Sequence, residues 1–158
     1  MAGDASDDRP GPLAPEDLTA DSPFTLPGFF AAMADGRLLA ARCIDCDARL
    51  IPPRPACYDC GSRAVGVEEQ PRTGTVLSYT AVHRPPSPFE ALAPFTVAVV
   101  ELDSGARLTG RLTSDYEETA IGDRVELAFV DPDEAGIDPS AFLSYEEDWP
   151  IHVFEPAR

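Results

Sequence analysis

The sequence predicts a mainly β chain in which a short N-terminal helix and a compact cysteine module precede a small antiparallel barrel. Three observations carry this. The only cysteines form two Cys-x-x-Cys pairs within CIDCDARLIPPRPACYDCG, at Cys43, Cys46, Cys57 and Cys60. After them, runs of β-branched and aromatic residues alternate with period two, bounded by Gly, Pro or Asp. Before them, LPGFFAAMADGRLLAA sets Phe29, Phe30, Met33, Leu38 and Leu39 at mixed spacings of three and four.

Residues 1–24 are rich in Asp, Ser, Pro and Gly and have little apolar surface to offset ordering entropy, so they read as a disordered acidic tail. Residues 25–70 hold the helix and the cysteine module. The helical pattern from Leu26 to Ala41 is expected to break near Gly36. Its apolar side must bury against its own domain or against a partner, and Phe29, Phe30 and Met33 are the candidate partner anchors. Residues 71–158 form the barrel with a C-terminal extension. Gly74 to His83, Phe95 to Leu102, Ala106 to Leu112 and Arg124 to Val130 read as strands. Leu102 to Arg107 is a hairpin turn, and Arg84 to Pro94 is a proline-rich loop that cannot continue a central strand. Ile151 to Pro156 is a last short strand, expected at an edge after an acidic loop. Several short strands in so few residues suit a small barrel, with the OB type among the candidates.

Charge narrows the function. Against 28 Asp and Glu stand 12 basic residues, every one an Arg, for a formal net charge of -16. Nucleic-acid binding rests on cations that neutralise phosphate, so nonspecific binding of nucleic acid is not expected of this chain. Adaptation to high salt, where screening relieves self-repulsion, is one source of such acidity; an acidic protein of a GC-rich genome is another. No apolar run approaches a spanning helix, and the N-terminus is acidic where a signal peptide is basic and then apolar. A soluble, cytoplasmic protein with no membrane partner is expected.

In such a compartment disulfides are disfavoured, and two Cys-x-x-Cys pairs ten residues apart have the spacing of a zinc ribbon. Each pair sits on a tight knuckle. Gly61 after the second pair, and Asp47 after the first, are residue types that tolerate the left-handed backbone a knuckle demands. Four thiolates fill a tetrahedral shell and leave no position for water or substrate, so one structural Zn²⁺ per chain is expected. It also stabilises a module too small to fold alone.

No catalytic set is legible. The cysteines are committed to metal, His83 and His152 lie in no motif, and the carboxylates cluster in loops at residues 116–118 and 145–148. There is no phosphate-cradling glycine loop and no nucleophile elbow.

The order of parts, a short helix, then C-x-x-C…P-P-R-x-x-C-x-x-C, then G-T-V-x-S-Y-T, P-F-T-V-A-V-V-E-L and I-G-D-R-V-E-L-A-F, resembles a zinc-ribbon OB-fold family once catalogued as a domain of unknown function and linked to acyl-CoA metabolism. The likeness covers about Phe29 to Val130 and reaches toward Phe154. It implies a rubredoxin-like ribbon followed by a five-stranded OB barrel. It also implies a non-catalytic accessory or scaffolding subunit that binds a thiolase-superfamily enzyme (thiolase, hydroxymethylglutaryl-CoA synthase, acetyltransferase or aldolase) and supports acyl-CoA transfer or complex stability. If acyl-CoA touches this chain, its phosphates want Arg. Arg54 follows two stiffening prolines, while Arg63 and Arg84 are expected to flank the junction of ribbon and barrel. The alternative is an OB-fold binder of single-stranded nucleic acid, with Tyr79 and Phe95 as stacking platforms but no basic groove beside them.

Overall fold

A computed structural model describes residues 11–137 and 149–157. Residues 1–10 of the expected tail and the acidic stretch 145–148 lie outside them. Within residues 11–24 the chain forms a short 3-10 turn at Pro15–Asp17, and Phe24 packs on a small cluster of Ala41, Leu50 and Val65. One aromatic anchor thus ties down part of a segment whose composition predicted no structure.

Helix α1 spans Leu26–Ala34. Thr25 caps it, its hydroxyl accepting from the Gly28 amide at 3.4 Å and donating to the Ser22 carbonyl at 2.7 Å. Pro27 occupies the first turn, where no amide is missed. At the other end Gly36 takes a positive φ of 80°. Its N–H bonds to the Met33 carbonyl at 2.9 Å and that of Arg37 to the Ala32 carbonyl at 2.9 Å, a Schellman closure. The helix stops there. Leu39–Cys43 is instead strand β1, so Leu39 to Ala41, expected within the helical pattern, are extended.

β1 is the centre of a three-stranded antiparallel sheet of order β2-β1-β3, with β2 at Arg49–Leu50 and β3 at Val65–Glu69. Ala41 pairs with Leu50 on one side and Val67 on the other. The two edge strands are linked by Arg49, whose Nε donates to Glu68 Oε2 at 2.8 Å and holds that carboxyl below its usual range. Sequence periodicity showed none of these strands because they are too short to display one.

The barrel strands are β4 (Thr73–Val82), β5 (Phe95–Leu102), β6 (Arg107–Leu112), β7 (Arg124–Val130) and β8 (Ile151–Pro156). They close in the order β4-β5-β6-β8-β7. On β5 every second residue, Thr96, Ala98, Val100 and Leu102, points inward and is buried. A register shift between Val76 and Ser78 bends β4 around the closure. β5 and β6 join through the expected hairpin, with Gly105 at φ 91°. β8 is the correction: expected at an edge, it runs antiparallel to β7 and parallel to β6, and so seals the barrel. Phe154, fully buried, brings the reason, since its ring fills the space above Gly110.

One core runs from the helix into the barrel. Phe29, Met33 and Leu38 join Val76, Val100, Leu102, Leu127 and Phe154 in a single buried cluster. Phe29 and Met33 are 6% and 1% exposed, which corrects the expectation that they anchor a partner: the helix packs that face on its own barrel. Phe30, partly buried, stacks on Trp149 at 4.3 Å and 12°. The ribbon is tied to the same end of the barrel. Buried Gln70 donates its backbone amide to the Leu38 carbonyl at 2.8 Å, and its Oε1 accepts from Ser104 of the β5–β6 hairpin at 2.5 Å. Arg72 donates to the Gly36 carbonyl and lies 5.0 Å over the Phe129 ring.

Two outcomes are expected. Phe29→Ala should cost about 3–5 kcal/mol of stability, as for other buried aromatics, and Phe30→Ala less, measured by denaturant unfolding. His152 on β8 bonds through Nε2 to the Thr109 carbonyl at 2.7 Å, and burial pushes its imidazole below the ordinary value of 6.5. Because its folded pKa is depressed, its contribution is present above the unfolded value and is lost as pH falls below it toward the folded pKa. Between pH 7 and 5, stability of the native chain should therefore fall more steeply than that of His152→Gln.

Candidate metal centre

Cys43 and Cys46 sit where β1 turns into β2, and Cys57 and Cys60 on a loop returning to β3. The two turns share one backbone solution. In the first, the Asp47 amide donates to the Cys43 carbonyl at 3.0 Å and the Cys43 amide to the Ala48 carbonyl at 2.8 Å. In the second, the Gly61 amide donates to the Cys57 carbonyl at 3.0 Å and the Cys57 amide to the Ser62 carbonyl at 2.8 Å. Asp47 and Gly61, at matching positions, take positive φ of 66° and 76°. Asp47 holds this conformation with a polar side chain that pairs with Arg42 at 2.6 Å.

The turns bring four sulfurs within 4.8 Å of one another. Cys43 and Cys60 stand 3.5 Å apart and Cys46 and Cys57 3.6 Å, beyond any disulfide bond. A tetrahedral Zn²⁺ with Zn–S of about 2.3 Å needs sulfurs roughly 3.8 Å apart, so the set fits that ion with little adjustment. Cys43 and Cys57 are buried and Cys46 and Cys60 exposed, which puts one edge of the tetrahedron against the ribbon core and one toward solvent.

The protein electrostatics prepare part of this set and need a cation for the rest. Amides of Cys46 and Asp45 directed at the Cys43 sulfur bring its pKa down to about 7. The Ala48 amide favours the Cys46 thiolate, yet partial desolvation and the three neighbouring sulfurs push that thiol up to about 12. Four thiolates cannot share this volume unless a dication compensates them. No His, Asp or Glu joins the cluster among the described residues, so the ligand set is sulfur alone and closed. This is a structural zinc ribbon, and its ion supplies folding energy.

The other expected residues are not gathered there. Arg54 lies in the loop between the knuckles and Arg63 just after the second, both exposed. Arg84 follows β4 at its far end from the ribbon joint, so it does not flank that junction as expected. His83 is exposed beside it, and His152 is held on the Thr109 carbonyl. Sequence reasoning missed Gln70 and Arg72, which make the joint between ribbon and barrel. A lone Gln before Pro71 carries no pattern; its burial beside Leu38 shows only in three dimensions.

Comparison with known proteins extends the geometry. Two family profiles match adjoining stretches of the chain: the ChsH2 rubredoxin-like zinc ribbon domain over residues 30–66 and the ChsH2 C-terminal OB-fold domain over residues 67–130. A DUF35 domain-containing scaffold protein of Methanocaldococcus jannaschii is 36% identical over 112 residues, covering 69% of this chain and 79% of that protein. A probable enoyl-CoA hydratase alpha subunit of Thermomonospora curvata is 38% identical over 107 residues, 66% of this chain but 33% of that longer protein. Among solved structures, an Ltp2-ChsH2(DUF35) aldolase aligns with TM-score 0.61 at 33% identity, covering 83% of this chain and 93% of that one.

Metal analysis should return about one zinc per chain, and Cys57→Ser should abolish that zinc and melt the ribbon. Gly61→Ala gives a finer test. An added Cβ there meets nothing within 4 Å, so its cost, about 1–2 kcal/mol, is purely that of a left-handed alanine. Thermal unfolding of the zinc-loaded chain measures it.

Proposed function

Because this chain belongs to the DUF35 family, the zinc-ribbon and OB-fold proteins that include ChsH2, we propose that it is a non-catalytic accessory subunit of an enzyme acting on acyl-CoA thioesters. The observation that carries this is the pairing of a sulfur-only metal set with relatives named as scaffold proteins and as part of an aldolase. A closed site of four cysteines holds a fold together and activates no water. The partner is a thiolase-superfamily enzyme, such as a thiolase, a hydroxymethylglutaryl-CoA synthase, an acetyltransferase or an aldolase. Arg54 and Arg63, exposed on the ribbon and free of ion pairs among the described residues, are the side chains available to acyl-CoA phosphates if the thioester passes over this subunit.

The single-stranded nucleic-acid reading loses its platforms. The Tyr79 ring packs on Tyr116 at 5.1 Å, and Phe95 faces Phe89 at 6.5 Å, so both expected stacking surfaces have intramolecular ring neighbours.

Affinity purification of the tagged chain from its native cells, followed by size-exclusion chromatography and acyl-CoA assays, tests the proposal. The expected result is co-elution with an acyl-CoA enzyme and no thiolase, synthase or hydratase turnover by the isolated chain. A free monomer with no such enzyme, turnover by the chain alone, or retention of single-stranded nucleic acid at physiological salt would overturn it.

A further inference from the structure

Where β4 and β6 end and β5 begins, the barrel opens into a cavity of about 610 Å³, within the usual span of small-molecule sites. This is the end of the barrel away from the hairpin that meets the ribbon. β6 contributes Arg111, the following loop contributes Thr113 and Ser114, and Leu92, Pro94 and Phe95 form an apolar wall.

Arg111 is the anomaly. It is partly buried, and burial alone pushes its pKa down, yet among the described residues its guanidinium has no ion pair or hydrogen bond. Shortage of carboxylates does not explain this in a chain with 28 acidic and 12 basic residues. Arg42, Arg49, Arg107 and Arg124 have carboxylate partners, and Arg37, Arg54, Arg63 and Arg84, which have none among the described residues, are exposed to water, so Arg111 stands apart as both half-buried and unpaired. A guanidinium partly withdrawn from water with five unused donors is a ready site for an anion from outside the chain.

The same cavity limits what that anion is. Asp115 and Glu117, both exposed, also line it. Carboxylates in the same lining repel a second negative charge on the ligand, so a dianion such as phosphate is disfavoured against a monoanion. The hydroxyls of Thr113 and Ser114 supply further donors, and the Leu92, Pro94 and Phe95 wall accepts an apolar body. We propose that this cavity binds a small monocarboxylic acid anion, its carboxylate on Arg111 and its apolar part against Leu92, Pro94 and Phe95. The site goes beyond the accessory role and does not depend on any partner enzyme.

Titration of the zinc-loaded full chain, followed by amide chemical shifts, tests it with benzoate, the neutral isostere benzamide and inorganic phosphate as probes. Benzoate should give saturable shifts at Thr113, Ser114 and Tyr116, with benzamide and phosphate weaker by about ten-fold or more and Arg111→Gln reducing benzoate affinity by a similar factor. Should Arg111→Gln fail to fold, the exposed pair Asp115→Asn with Glu117→Gln replaces it, and phosphate should then bind several-fold more tightly. No saturable benzoate shifts, shifts centred elsewhere, equal binding by benzamide or by Arg111→Gln, phosphate matching benzoate, or no gain in the double variant would each overturn the proposal.

Discussion

Mutual repulsion among four sulfurs is the constraint from which the N-terminal half of this molecule is built. Packed within 4.8 Å, they cannot all ionise without a dication, and without ionising they bind none. The backbone resolves half of the conflict by aiming amides at Cys43, and the metal resolves the rest. Two knuckles with identical hydrogen-bond offsets follow, because only a turn closing on a left-handed residue sets two thiolates side by side. Asp47 and Gly61 are the two residues that make that turn.

The ribbon so fixed does not stand apart from the barrel. Its central strand leaves Leu38 in the barrel cluster, its last strand runs into Gln70, and Gln70 is bonded to the β5–β6 hairpin. Helix α1 completes the same end with Phe29 and Met33. An apolar helix that looks, in sequence, like a docking surface is therefore part of the internal core. Whatever surface this chain offers to an enzyme, those two side chains are not on it.

Legibility in the sequence followed the length of the signal. Long alternating runs such as Phe95 to Leu102 declared themselves, and so did the four cysteines, whose spacing encodes a tetrahedron directly. β1 to β3 did not, because two to five residues cannot show a period, and Leu38 to Ala41 borrowed helical spacing from the segment before Gly36. β8 was visible as a strand but not as the closing one, since closure depends on its pairing with both β6 and β7 across a long separation. Arg111 was invisible for a similar reason. One arginine in a strand is ordinary; what sets it apart is that it is half-buried in a cavity lining with no partner among the described residues, where the other unpaired arginines are exposed.

The central claim is that all four ligands are thiolates and the metal shell is closed. X-ray absorption at the zinc edge of the purified chain tests this directly. The account predicts a first shell of four sulfurs at about 2.3 Å and no lighter scatterer. A nitrogen or oxygen at about 2.0–2.1 Å would show an open or mixed site and contradict a purely structural role.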